Sequence, residues 1–214
     1  MIDAARYGDH CAEFYDEMYP PPSRLSLDRL VELARGGPVL DAGCGTGRYA
    51  IALASRGLAV HGIDASAAMI ARLRAKSGGG AVGVTLGDFA SVSAPDRYRL
   101  VICMVDTLAL LPDRDAQARA VGRLAASVAG DGSLLVETTA SGNRDTFVQM
   151  DHVVETRGGP RRYSPRLCEV SLDDLDAWAA RAGLVPHVRW RNWRATPWRG
   201  ETGGVISIFR RPQA

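Results

Sequence analysis

Apolar residues recur along this chain in two rhythms, a three-to-four-residue spacing and short unbroken runs, and the two rhythms alternate. Tyr7, Cys11, Phe14, Tyr15 and Met18 follow the first and predict an amphipathic helix over 7–19. Three prolines, Pro20 to Pro22, end it, because proline cannot continue a helix. Ser23 is placed to cap a second helix, with Leu27, Leu30, Val31 and Ala34 on one face and Gly36 and Gly37 as its stop. From Pro38 the unbroken runs predict strands at 38–42, 58–64, 81–88, 98–105 and 132–138, separated by helical stretches at 48–56, 66–76 and 113–129. Strands alternating with helices at this length predict a parallel sheet of right-handed βαβ units. After Thr139 the rhythm breaks: 140–170 is polar, holds a Gly-Gly-Pro turn and has only weak strand signals around His152 to Thr156. It resumes at Ser171, a cap for a helix over 172–183, followed by strands at 184–193 and 203–211. No repeat, low-complexity tract or linker divides the chain, which reads as one domain.

Composition narrows the class. A chain of 214 residues with 46% apolar and 23% charged positions is an ordinary globular domain. A net charge of +2 is too small to imply a nucleic-acid partner by itself. Cys11, Cys44, Cys103 and Cys168 are widely spaced, form no CxxC pair, and suggest neither a metal site nor a disulfide framework; they fit a reducing compartment. The first twenty residues carry acidic side chains and no apolar core, and no run approaches the roughly 18 residues of a membrane span. A cytoplasmic protein is expected.

The chemistry concentrates in "VLDAGCGTGRYA", Val39 to Ala50. A phosphate-binding P-loop needs a lysine after its glycines, and none follows. A dinucleotide fingerprint needs a third glycine or alanine where Arg48 stands. What remains is Asp41-x-Gly43-x-Gly45-x-Gly47: a carboxylate closing the first strand, then a loop whose glycines admit positive φ and remove the Cβ atoms that block close contact. A carboxylate there favours a cationic ligand over a pyrophosphate.

The stretch resembles the first motif of class I S-adenosylmethionine-dependent methyltransferases, whose cofactor carries an ammonium and a sulfonium. The downstream positions agree. Asp64, in "HGIDAS", closes the second strand about 20 residues after the first glycine, where a ribose acceptor belongs. Asp88 and Phe89, in "GDFA", close the third, where family members contact the adenine. "GDGSLLVE" and "LDDLDAWAARAGL" resemble the family's fifth strand and the helix before the sixth. The resemblance implies a doubly wound, seven-stranded, mostly parallel sheet with the last strand antiparallel. It divides the chain into a helical lid (1–36), a cofactor-binding core (37–139), an acceptor-pocket segment (140–170) and a C-terminal helix with strands (171–214). It further implies a cofactor site that includes Cys44, Ala65, Met69 and Met104, with Tyr7 and Tyr15 folding over the cofactor from the first helix.

The acceptor is harder to read, because methyl transfer from a sulfonium is an in-line displacement that needs alignment more than a general base. The fourth strand ends in Met104-Val105-Asp106-Thr107 and lacks the Asn/Asp-Pro-Pro-aromatic tetrad of enzymes that methylate base amines. "VDTLALL" looks more like small-molecule and natural-product methyltransferases, and Asp106 either orients an acceptor amine or hydroxyl or caps the following turn. His10 and His152 lie where the fold builds its lid and are candidate bases; His61 and His187 sit within strands as packing or surface residues. "VRWRNWRATPWRG" sets Trp190, Trp193 and Trp198 among four arginines. Alternate packing of tryptophans in and arginines out is the first reading, a substrate-anion site the second and an RNA surface the third. The 140–170 segment is briefer than in close relatives, which leaves the pocket more open or completed by a second subunit of a homodimer. The expected function is transfer of a methyl group to nitrogen, oxygen or nucleophilic carbon of a small metabolite. A non-catalytic cofactor-binding module and an RNA or protein methyltransferase are the alternatives.

Overall fold

Where the sequence predicts one helix over 7–19, the chain forms two, α1 (Ala4–Cys11) and α2 (Tyr15–Met18), separated by a turn. The computed structural model describes residues 4–90, 97–140, 147–149 and 151–212. Residues 1–3 of the expected lid, 141–146 and 150 of the expected pocket segment, and 213–214 lie outside them. Ser23 caps α3 (Arg24–Ala34) by accepting the Ser26 amide, and Arg35, in the left-handed region, closes it. Then come β1 (Val39–Ala42), α4 (Ala50–Ala54), β2 (Val60–Asp64), α5 (Ala67–Ala75), β3 (Gly83–Leu86), β4 (Tyr98–Cys103) and α6 (Arg114–Ala126). The fifth strand, β5 (Val128–Ala140), starts four residues before the predicted run.

The seven-stranded sheet has the order β10-β11-β5-β4-β1-β2-β3, where β10 is Val185–Trp190 and β11 is Gly203–Arg210. All its pairings are parallel except those made by β11, which runs against both β5 and β10. This is the doubly wound sheet with an antiparallel last strand that the family resemblance implies. Its buried strands read as unbroken apolar runs because both faces are covered. Within β4, Leu100 and Ile102 face a core built with α3 and α4 through Leu27, Leu30 and Leu53, whereas Val101 and Cys103 face one built with α6 and α7 (Leu172–Arg181) through Val121, Leu124, Leu175 and Trp178. A third, smaller cluster of Cys11, Phe14, Met69 and Tyr163 joins α1 to α5.

The polar segment after β5 forms two antiparallel ribbons, β6 (Phe147–Gln149) with β9 (Arg166–Cys168) and β7 (His152–Thr156) with β8 (Gly159–Tyr163). The sequence signals only β7, because a ribbon exposed on both sides needs no apolar alternation. Gln117 of α6, fully buried, fastens this segment to the sheet: its Nε2 donates to the Cys168 carbonyl at 2.7 Å and to the Leu108 carbonyl at 3.2 Å. Replacing it by leucine keeps the volume and removes both bonds. We expect Gln117→Leu to lose about 2–3 kcal/mol and to lower the melting temperature by roughly 5–12 °C in calorimetry; an unchanged melting temperature would refute this role.

Candidate active site

The chain winds from β1 outward to β3 and then, from β4, outward the other way, so the strand order reverses between β1 and β4. Loops leaving the carboxyl ends of these two strands part there, and such a switch point is where doubly wound sheets bind ligands. The loop after β1 carries the three glycines, and all have positive φ: 76° at Gly43, 54° at Gly45 and 82° at Gly47. Their lost Cβ atoms differ in meaning. At Gly43 a Cβ would meet Thr107 Cγ2 at 2.4 Å, and at Gly47 it would meet Leu73 and Ile51 at 2.7–2.8 Å, so those two glycines admit neighbouring protein. At Gly45 it would meet nothing closer than Met69 and Tyr15 at 3.9 Å and would project into an open cleft. Of the three glycines, only Gly45 would set a Cβ in open cleft space.

That cleft, of about 610 Å³, is lined by nine of the expected cofactor residues: Tyr7, Tyr15, Gly43, Gly45, Asp64, Ala65, Met69, Asp88 and Phe89. Asp64 organises it. Its Oδ2 accepts the Gly45 amide and its Oδ1 the Ser66 amide, both at 2.8 Å, and burial raises its pKa. Asp88 Oδ1 accepts the Ala90 amide at 2.8 Å, an Asx turn that presents Phe89 beside it. Burial pushes the phenols of Tyr7 and Tyr15 far above their usual range and keeps both neutral.

The other four expected cofactor residues do not line the cleft. Asp41 is only 3% exposed and lies behind the loop, where it accepts the Ala50 amide. Cys44 turns inward onto Gly62, Gly47 faces α4 and α5, and Met104 is buried in the core. The carboxylates that line the cleft are therefore Asp64 and Asp88, and not Asp41. The cleft also uses Gly8, Tyr19, Val105, Thr107 and Leu110, which the sequence reading omits. Gly8 had a signal, a glycine inside an amphipathic helix: a Cβ there would strike Ser66 Cβ at 2.5 Å, so it sets how closely the lid approaches α5.

A second chamber of about 890 Å³ adjoins the cleft, and Tyr7, Tyr19, Val105 and Leu110 line both. His152 and Asp106 line this chamber; His10 lines neither, because α1 turns it outward, where its Nε2 lies 3.4 Å from the Arg162 carbonyl. His152 stacks on Tyr163 with centroids 4.7 Å apart, and the Tyr163 hydroxyl is hydrogen-bonded to Tyr7 and Tyr19. Val105 and Asp106 both adopt φ of 53°, a strained conformation for a β-branched residue. It is held by Glu137, whose carboxylate accepts the Val105 amide at 3.1 Å and whose carbonyl accepts the Asp106 amide at 3.2 Å. The Asp106 side chain accepts the Thr138 hydroxyl, the Thr139 amide and the Thr139 hydroxyl at 2.6–3.0 Å.

No residue of the Trp/Arg stretch lines either chamber. Trp190 and Trp193 pack on the core, and Arg189 reaches inward to Asp176 and Ser207 instead of outward. Arg48, standing where a dinucleotide loop wants glycine, lies over the Tyr49 ring and donates to the Pro20 carbonyl.

Residues 39–132 match the sequence profile of a methyltransferase domain. The chain carries a methyltransferase domain. Among solved structures it superposes on the CcbJ methyltransferase of Streptomyces caelestis with a TM-score of 0.82 at 26% identity, over 99% of this chain and 100% of that one. A TehB-like SAM-dependent methyltransferase from Corynebacterium glutamicum follows the same fold at a TM-score of 0.72 and 17% identity, covering 98% of this chain and 100% of that chain. CalS10 from Micromonospora echinaspora, an amino pentose methyltransferase involved in calicheamicin biosynthesis, does so at 0.63 and 20%, over 85% and 87%. No curated protein matches the chain in sequence. Among the described residues of this methyltransferase, no helix is long and apolar enough to cross a membrane.

The buried Asp41 makes the stability of the methyltransferase depend on pH. Its pKa is pushed up to about 7, chiefly by burial and then by Asp64, against 3.8 when unfolded. Between those values the unfolded chain has released a proton that the folded chain retains, so Asp41 costs stability as pH rises from about 4 to about 7. Asp41→Asn removes that slope. Relative to the parent it should gain up to roughly 4 kcal/mol between pH 4 and pH 8 in urea unfolding; parallel pH profiles would contradict it.

Proposed function

We propose that this methyltransferase passes the methyl group of S-adenosylmethionine to a small molecule held in the second chamber. The observation that carries the proposal is the shared wall: two cavities at the carboxyl ends of β1 and β4, both lined by Tyr7, Tyr19, Val105 and Leu110. The donor is S-adenosylmethionine, which when bound supplies an already activated methyl group. The residues present fit it. Gly45 leaves open the space that a side chain would fill, Asp64 is placed to accept ribose hydroxyls, and Asp88 with Phe89 offers a polar and an apolar contact for a base.

The protein's own contribution is mainly positioning, which supplies much of the rate of a displacement whose methyl needs no further activation. Tyr7 and Tyr19 close over both cavities and exclude water. Val105, held in its strained conformation by Glu137, sets the distance between them. Asp106, His152 and Glu169 are groups in the acceptor chamber able to orient an acceptor or take its proton. A role in secondary metabolism is supported by two structural neighbours, CalS10 above and MtfA, a glycopeptide N-methyltransferase. The four cysteines, all buried free thiols, support a reducing, cytoplasmic setting.

Titration calorimetry with S-adenosylhomocysteine tests the donor. Binding is expected, and Asp64→Asn should weaken it about 10- to 100-fold by removing charge-assisted hydrogen bonds. No binding, or binding indifferent to Asp64→Asn, would sink the proposal. The glycines separate in the same assay. Gly45→Ala should abolish binding at a stability cost of about 1–2 kcal/mol, whereas Gly47→Ala should cost roughly 2–4 kcal/mol by forcing Leu73 and Ile51 apart.

A further inference from the structure

The second chamber carries a charge balance that methyl transfer alone does not explain. The described residues that line it include two carboxylates, Asp106 and Glu169, and no lysine or arginine. The two differ in how they are bonded. Both oxygens of Asp106 are engaged by Thr138 and Thr139. Glu169 Oε2, by contrast, is buried with no hydrogen-bond partner. A carboxylate oxygen shut away from water without a donor is costly, and a ligand that brings a charged donor removes the cost. Tyr7, Tyr19 and Tyr163 line the same space, and aromatic rings attract cations through their quadrupoles. An anionic acceptor meets the reverse, two carboxylates and no lysine or arginine to receive it.

We propose that the acceptor is an amine, and that Glu169 recognises it in its ammonium form; the ammonium passes one proton to His152 before its nitrogen lone pair takes the methyl, and S-adenosylhomocysteine leaves with the sulfur–methyl bonding pair. The proposal rests on reading this chamber as the acceptor site. Glu169 directly follows β9, whose Cys168 carbonyl receives Gln117, and precedes Val170, which is 1% exposed. Its backbone is thus fixed on both sides, which limits where the carboxylate can lie and suits it to a specificity determinant.

Three aromatic probes of similar size and different charge test this: 2-phenylethylamine, 2-phenylethanol and phenylacetate. Their affinities are measured by ligand-observed NMR, with and without S-adenosylhomocysteine, whose own binding is followed by calorimetry in the same samples. The amine should bind at least about ten-fold more tightly than the other two. Glu169→Gln should erase the preference and Glu169→Asp retain it, with S-adenosylhomocysteine affinity unchanged in both. Failure of the amine to bind at millimolar concentration, equal binding of the alcohol or the acid, or a preference that survives Glu169→Gln overturns the proposal. Loss of S-adenosylhomocysteine binding in the parent protein would instead overturn the donor assignment and leave the amine preference readable.

Discussion

One carboxylate ties the working parts of this molecule together. Asp64 ends β2 and divides its two oxygens between the Gly45 amide of the glycine loop and the Ser66 amide at the start of α5. Ser66 in turn caps α5 through the Met69 amide and donates its hydroxyl to Asp9 of α1 at 2.6 Å. Loop, sheet, helix and lid are therefore registered to one another by a short chain of hydrogen bonds, partly buried and charge-assisted, where such bonds are strong. The same residue faces the donor cleft. A group that holds an empty site in shape and also binds its ligand requires little reorganisation when the ligand arrives.

The far side of the cleft is built on opposite terms. At the end of β4 the backbone is held against its own preference at Val105 and Asp106, and the restraint comes from β5 through Glu137, Thr138 and Thr139. The relaxed half of the site, at Asp64, belongs to the part that resembles many other donor-binding loops. The strained half belongs to the boundary with the acceptor, where strain is stored at functional sites in general.

That division also explains what the sequence could disclose. The strand and helix rhythm, the caps at Ser23, Ser66 and Ser171, and the Gly43–Gly45–Gly47 loop are local signals whose cause lies within a few residues. Nine of the thirteen expected cofactor residues meet in one cleft because motif spacing along a βαβ unit maps directly onto space. Asp41 was legible as a carboxylate but its burial was not, since β1 is covered from both faces by elements far along the chain. Glu137 and Glu169 gave no signal at all: one acts through a neighbouring strand, and the other matters only because nothing in the fold pairs with it. The two ribbons after β5 were nearly silent, because they are held by contacts with α6 and the lid more than by their own apolar pattern.

The lid has a small core of its own. Cys11, Phe14, Met69 and Tyr163 cluster apart from the two large cores that flank the sheet. Its edges are sewn down by exposed or half-exposed bonds, Lys76 and Thr46 to Asp16, and the Arg157 amide to Glu17. Cohesion that is local and outside the two large cores defines a unit able to open at a free energy below that of global unfolding. Separating α1 and α2 from the sheet breaks this small cluster and those bonds, and leaves the two large cores and the strained turn in place.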